Sequence, residues 1–164
     1  MIALRIPEVK QFMAKILIQN VFDNFLLKEL EMNTFNKFRV DGRINKSYFN
    51  TDELEALGGR EYSKWSEVRP FVLSLVKGNK TPLSFHIVLQ LSHENTEAIL
   101  RRANLMQYLD DITGLYFNIR YENGELTGIT GTGFKTFSLD KTIDHEWDEN
   151  MKKFLKYHEI PVEV

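Results

Sequence analysis

Leu115-Tyr116-Phe117-Asn118-Ile119-Arg120-Tyr121-Glu122-Asn123-Gly124-Glu125-Leu126-Thr127-Gly128-Ile129-Thr130 reads as a β-hairpin. Two runs rich in aromatic and β-branched residues, Leu115 to Tyr121 and Leu126 to Thr130, flank Asn123-Gly124. That dipeptide tolerates the positive φ angles of a two-residue turn. Strands joined so tightly are antiparallel. Upstream, Leu83 to Leu91 is an apolar strand whose alternation breaks down at Ile87-Val88-Leu89, as in a strand with neighbours on both sides.

Working outward, helices alternate with strands. Residues 2–6 form a short apolar strand, and Pro7 suits the first position of a helix, where its missing N–H costs nothing. Val9, Phe12, Met13, Ile16 and Leu17 recur at the spacing of an amphipathic stripe. Phe25 to Asn33 and Phe35 to Tyr48 carry the composition of a strand meander. A short helix capped by Thr51 or Asp52 is stopped by Gly58-Gly59. A longer one from Ser66 places Val68, Phe71, Val72, Leu75 and Val76 inward and ends at Gly78, with Pro70 tolerable close to its first turn. Ile99, Leu100 and Ala103 belong to another helix. The last runs from about Asp140 to Tyr157, with Ile143, Trp147, Met151, Phe154 and Leu155 inward.

These elements predict a single α+β domain over residues 1–164, a largely antiparallel sheet with packed helices. Residues 2–48 and 85–130 share an order of strand, helix and antiparallel strands, which suggests an internal duplication. The order resembles the repeated unit of DNA sliding clamps in element order only, with no matching motif. Strand–helix–strand units are too common for that likeness to assign a family.

Composition narrows the function classes. Hydrophobic content of 43% and charged content of 27% are those of a globular chain. There is no Cys, which excludes disulfides, thiolate metal sites and cysteine nucleophiles. The first residues lack the apolar core of a signal peptide, and no apolar run approaches the roughly 20 residues of a membrane helix. A cytoplasmic protein without a membrane partner is expected. The net charge of −2 is uneven: residues 1–80 hold 13 Lys and Arg against 10 Asp and Glu, residues 81–164 hold 8 against 13.

The segment Thr34 to Tyr48 offers a candidate surface. With Asp41-Gly42 as a two-residue turn, residue 39 pairs with 44, 37 with 46 and 35 with 48. One face then gathers Phe35, Lys37, Arg39, Ile44, Lys46 and Tyr48, while Phe38 and Val40 face the core. Lys37 opposite Lys46 is an unfavourable pair unless an anion or acidic neighbour lies over it. Rings bracketing cations on a sheet suit single-stranded nucleic acid or an acidic protein. Coverage by the acidic last helix, or a lysine-protected sheet edge, accounts for the same residues, and the net charge is not that of a nucleic-acid-binding chain.

Met1-Ile2-Ala3-Leu4 ahead of the first helix, and Thr34-Phe35-Asn36 leading to Asp41-Gly42-Arg43, resemble an uncharacterised family of small bacterial proteins of unknown function. The resemblance covers most of the chain. It implies a bacterial cytosolic setting and carries over no catalytic or binding residue.

Other motifs fall short of known chemistry. Gly128-Ile129-Thr130-Gly131-Thr132-Gly133-Phe134-Lys135-Thr136 approaches a phosphate-binding loop, but Phe134 separates Gly133 from Lys135 and the following residues look extended. A bulged or twisted strand accounts for the glycines. His145 and Glu149 stand at i and i+4, a metal-compatible spacing, without a second His. An acid-rich first helical turn satisfies the helix dipole equally well. His158 and His86 read as packed histidines, His93-Glu94 as a strand-to-helix junction, and Asp110-Asp111 as a helix end.

The leading expectation is a non-enzymatic binding protein that meets an acidic partner through Phe35, Lys37, Arg39, Lys46 and Tyr48, without a cofactor. The alternative is an enzyme or small-ligand protein with an anion site at Gly131, Gly133 and Lys135, with His145 or Glu149 nearby. Self-association along a strand edge is a third.

Overall fold

In a computed structural model, which describes residues 1–76 and 80–164, strands and helices alternate largely where the sequence pattern places them. The strands are β1 (Ala3–Arg5), β2 (Leu26–Asn33), β3 (Lys37–Asp41), β4 (Ser84–Gln90), β5 (Ile112–Glu122) and β6 (Glu125–Phe134). The helices are α1 (Val9–Leu17), α2 (Thr51–Ala56), α3 (Trp65–Leu73), α4 (His93–Arg102) and α5 (Thr142–Tyr157). The strands make one sheet in the order β1-β6-β5-β4-β2-β3, with every neighbouring pair antiparallel. The fold is α+β.

The β5–β6 hairpin closes as expected, with Asn123 and Gly124 at φ 52° and 78°. β4 lies between β5 and β2, and within Ile87-Val88-Leu89 the residue on the outer face, Val88, is buried as well. Side chains alternate across the sheet. Leu27, Leu30 and Met32 of β2, Ile87 and Leu89 of β4, Leu115, Phe117 and Ile119 of β5 and Leu126 of β6 join one buried cluster with Phe12, Trp65, Leu100, Trp147 and Met151 of the helices. The helices thus cover one face. Two indoles fasten them to the rest: Trp65 Nε1 donates to the Ile16 carbonyl at 2.7 Å, and Trp147 Nε1 to the Tyr116 carbonyl at 2.9 Å. Arg69 of α3 clasps Asp23 with two hydrogen bonds, of 2.9 and 3.0 Å.

Helix ends differ in detail from expectation. α2 is capped by Asn50, in a reciprocal pair with Glu53, and not by Thr51 or Asp52. Gly58 and Gly59 take positive φ and end it. α3 starts at Trp65 and contains Pro70 in its second turn, close to its end at Leu73. The stop expected at Gly78 lies outside the described residues.

The hairpin expected about Asp41-Gly42 does not form. β3 pairs with the strand before it: Glu31 faces Arg39, Met32 faces Phe38 and Asn33 faces Lys37, around a turn at Thr34-Phe35-Asn36. Beyond Asp41 the chain runs onward. Ile44 N–H donates to the Glu61 carbonyl, Arg43 bridges Tyr62, and Lys46–Tyr48 coil into a 3₁₀ turn. Gly42 is needed for close approach: its N–H donates to the Lys28 carbonyl, and a Cβ there would stand 1.8 Å from the Leu27 oxygen. Both pairings send Phe38 and Val40 toward the core, so the hydrophobic pattern does not discriminate between them.

The suggested duplication does not extend to pairing. β1 and β2 are separated by β6, β5 and β4, whereas β4 and β5 are direct neighbours. The β1 edge of the sheet is guarded. β1 is three residues long and is covered by a two-way bridge between Arg5 and Glu163.

Candidate functional site: a groove between α4 and α5

The outer sheet face holds part of the expected basic surface, already neutralised. Lys37 and Arg39 both reach Glu31, at 3.1 and 3.0 Å. The Lys37 ammonium, hydrogen-bonded to Glu31, is the main influence holding that carboxyl below its ordinary range. The acidic neighbour is therefore on the adjacent strand, and α5 plays no part. Phe35 sits in the β2–β3 turn, edge-on to Phe38 with ring centres 5.3 Å apart. Lys46 and Tyr48 lie past the opposite end of β3 in the 3₁₀ turn, where Tyr48 packs on Phe49. Five residues of extended strand span about 17 Å, so Phe35 and Tyr48 stand at the two ends of β3 and not side by side on paired strands. The gathering of these five residues on one face is corrected by the pairing of β3 with β2.

The glycine-rich stretch is strand, with aromatic seats built into it. A Cβ on Gly128 would lie 2.4 Å from Phe117 Cζ, and one on Gly133 would lie 2.2 Å from Thr113 Oγ1 and 3.1 Å from the Tyr116 ring. On the outer face, Lys28 Nζ caps that Tyr116 ring at 4.7 Å. Gly131 has only ordinary contacts. Lys135 leaves the sheet, its N–H held by the Asp111 carbonyl, and lines a groove of about 830 Å³ with Lys64, His93, Glu94 and Asp110. Gly131 and Gly133 do not line that groove, although Gly133 pairs with Gly114, which does. The groove's mixed charge differs from an anion cradle. On α5, His145 and Glu149 are both exposed, and Glu149 pairs with Lys152 at 3.0 Å. Among the described residues no three His, Asp or Glu converge as a metal site would require. His86 is on the outer face, where its strand position faces Glu31 and Arg120.

A different surface has the character of a binding site. Between α4, the second half of α5 and residues 20–25 runs a groove of about 700 Å³. Its floor is apolar: Phe25, Leu91, Ile99, Trp147, Met151 and Phe154. Its walls carry carboxamides, from Asn20, Asn24, Asn95 and Asn150, and two cations, Arg102 and Lys153. No Asp or Glu is among its described lining residues. Of the acids beside it in sequence, Asp23 pairs with Arg69, Glu97 with Arg101, Glu149 with Lys152 and Asp148 with Thr130 and the N-terminal ammonium, while Glu146 accepts from the Asn150 amide of the wall.

Helix periodicity builds both walls. Asn95, Ala98, Ile99 and Arg102 occupy i, i+3, i+4 and i+7 of α4. Trp147, Asn150, Met151, Phe154 and His158 continue one stripe down α5 and just past it. The His158 ring packs at a tilt against Phe154 with centres 4.5 Å apart and meets Tyr157 edge-on at 4.9 Å. Burial, helped by the Lys15 charge, holds the imidazole pKa below its ordinary value of 6.5. Lys15 also donates to the carbonyls of His158 and Glu159, tying α1 to the end of α5. An apolar cleft with convergent polar groups and a perturbed imidazole is the arrangement expected of a ligand site.

Sequence reasoning placed Trp147, Met151, Phe154 and His158 on a core stripe; Trp147 and Met151 are buried as expected, while Phe154 and His158 are partly exposed in the groove. The available signal was the pair Asn95 and Asn150, polar and poor helix formers inside helices.

Comparison with known proteins adds a family. The sequence profile of a family described as "Family of unknown function (DUF5721)" matches residues 15–163. The chain belongs to this family. None of the curated proteins and none of the solved structures matches it. The family match takes in α4, α5 and residues 20–25, so the whole groove is part of the family's domain. Among the described residues no helix is long and apolar enough to cross a membrane.

Proposed function

We propose that this family member is a binding protein for an acidic macromolecular partner, and that the α4–α5 groove is where the partner docks. One observation carries the reading: an apolar floor rimmed by Arg102, Lys153 and carboxamides, with no carboxylate in its described lining, on a protein of net charge −2. Apolar contact supplies affinity, and the cations select the sign of the partner and speed its encounter. The outer surface at Lys37 and Arg39 suits such a partner less well, because Glu31 already holds both cations. A bacterial cytosolic setting, implied by the sequence resemblance, belongs to the same proposal.

The test uses two fluorescent random copolymers, poly(Glu,Tyr) and poly(Lys,Tyr), and fluorescence anisotropy. The acidic copolymer is expected to bind wild type, and to be lost in Arg102→Glu/Lys153→Glu while the Lys37→Glu/Arg39→Glu/Lys46→Glu variant retains it. Equal binding of both copolymers overturns the reading. So does binding to single-stranded DNA that falls steeply with salt and vanishes only in the Lys37, Arg39 and Lys46 variant, which would return the site to β3 and its surroundings.

A further inference from the structure

The carboxamides of the groove narrow the kind of partner. A primary amide offers an acceptor oxygen and two N–H donors, the same complement as a peptide unit. Asn150 uses its amide within α5, donating to the Glu146 carbonyl and carboxylate. The side-chain amides of Asn20, Asn24 and Asn95 make no hydrogen bond to other described residues, although the Asn95 backbone N–H is held by the Ser92 hydroxyl. Asn20 and Asn24 stand on one wall and Asn95, on α4, on another. All three are exposed, and amides on two walls that can exchange water for a ligand's groups suit a ligand with donors and acceptors along both sides. An extended chain has them, because its N–H and C=O groups point to either side of the strand axis. A helix satisfies its main-chain groups internally, and an acyl chain has none.

We propose that the partner enters the α4–α5 groove as an extended peptide, its main chain held by Asn20, Asn24 and Asn95. One large apolar side chain packs on the floor at Val21 and Phe154, and acidic residues lie beside Arg102 and Lys153. This rests on the reading of the groove as the docking site. It adds that the partner's conformation, and not only its composition, is recognised.

The test is selection of random twelve-residue displayed peptides on wild-type protein, with Arg102→Glu/Lys153→Glu for counter-selection. The selected sequences should carry Asp or Glu around an apolar anchor, with preferences alternating at i and i+2. N-methylation of the peptide units flanking the anchor should weaken binding at least tenfold. Asn24→Ala and Asn95→Ala should each weaken it about fivefold, the ordinary worth of one hydrogen bond. Anchors at i, i+3 and i+4 that bind better when stapled as a helix would overturn this inference and leave the groove reading standing. So would groove-dependent peptides indifferent to N-methylation. Failure to recover any peptide sensitive to Arg102→Glu/Lys153→Glu overturns both.

Discussion

Gly128→Ala and Gly131→Ala should have opposite effects although they differ by three positions in one strand. At Gly128 the new Cβ would lie 2.4 Å from Phe117 Cζ and 2.8 Å from Cε1. Phe117 has no exposed surface, and its ring stacks on the equally buried Phe22, 6.5 Å away with planes within 6°. The ring has nowhere to go without moving the turn that carries Phe22 or the sheet, and forced overpacking of this kind costs about 1–3 kcal/mol. Removing glycine from the unfolded chain offsets about 0.4–1 kcal/mol, leaving a net loss of roughly 1–2 kcal/mol. At Gly131 the nearest atoms are Asn118 Nδ2 at 3.7 Å and Tyr116 Cβ at 3.9 Å. There the unfolded-state gain stands unopposed, and the variant should be more stable by about 0.5 kcal/mol. Urea unfolding reads both. With m near 2 kcal/mol/M, Gly128→Ala should lower the midpoint by roughly 0.5–1 M and Gly131→Ala raise it by about 0.25 M. The double variant Gly128→Ala/Phe117→Leu should recover part of the loss relative to the sum of its singles. A Gly128→Ala midpoint equal to wild type, or an equal loss at Gly131, would refute the account of these glycines as ring seats.

Arg69→Met leaves the half-buried Asp23 carboxylate unpaired and should cost about 2 kcal/mol in urea unfolding. Arg69→Lys should recover little of it, because an ammonium does not reproduce the two-pronged contact. His158 has its folded pKa below 6.5, so the unfolded chain binds the proton more readily. Its contribution is complete above pH 6.5 and is lost as pH falls through the folded value; the urea midpoint should decline over that range, and less so in His158→Gln. Asp140 is held at about 2 by hydrogen bonds from the Thr142 hydroxyl and backbone N–H and from Tyr108. Since that bond raises the phenol pKa, Asp140→Asn should bring Tyr108 back down toward 10.0 in an ultraviolet or NMR titration.

Hydrophobic period and turn chemistry were legible where one pairing alone satisfied both. β5 and β6 needed only Asn123-Gly124 and two runs of matching length. The same rules misplaced the partner of β3, because Asp41-Gly42 has the composition of a turn while Gly42 is required for contact with Leu27. That requirement belongs to a residue fifteen positions away and leaves no local trace. The neutralising acid followed the same logic. Once Lys46 is removed as the partner of Lys37, Glu31 falls beside both cations through the β2–β3 register, which depends on the turn at Thr34-Phe35-Asn36. The groove was illegible for another reason: a stripe that packs on the core and a stripe that forms a cleft's floor have the same period.

The charges of the groove have a local cause that its amides lack. Along α5 the acids Asp144, Glu146, Asp148 and Glu149 come first and the bases Lys152, Lys153 and Lys156 last, and α4 ends on Arg101 and Arg102. Each sequence places negative charge at the start of a helix and positive charge at its end, where the helix dipole favours them. Helix stability alone would therefore produce Arg102 and Lys153, and a cleft beside two helix ends would be basic as a by-product. Asn95 and Asn150 follow no such rule. Asn150 sits within a helix, where asparagine is less favourable than alanine or lysine by about 0.5 kcal/mol, and recovers some of this through Glu146; Asn95 is in the first turn of α4, where its backbone N–H is held by Ser92 but its side chain gains nothing from the cap. Among the described residues the Asn95 side chain has no hydrogen-bond partner. A residue that local propensity disfavours, that core packing does not use, and that faces an apolar cleft is where selection for binding would leave its mark. Asn95 is thus the sharper discriminator. Replacing it with alanine should stabilise the isolated protein by a few tenths of a kcal/mol while weakening the groove's hold on its peptide. A variant that gains neither stability nor loses affinity would mean that the amide is incidental.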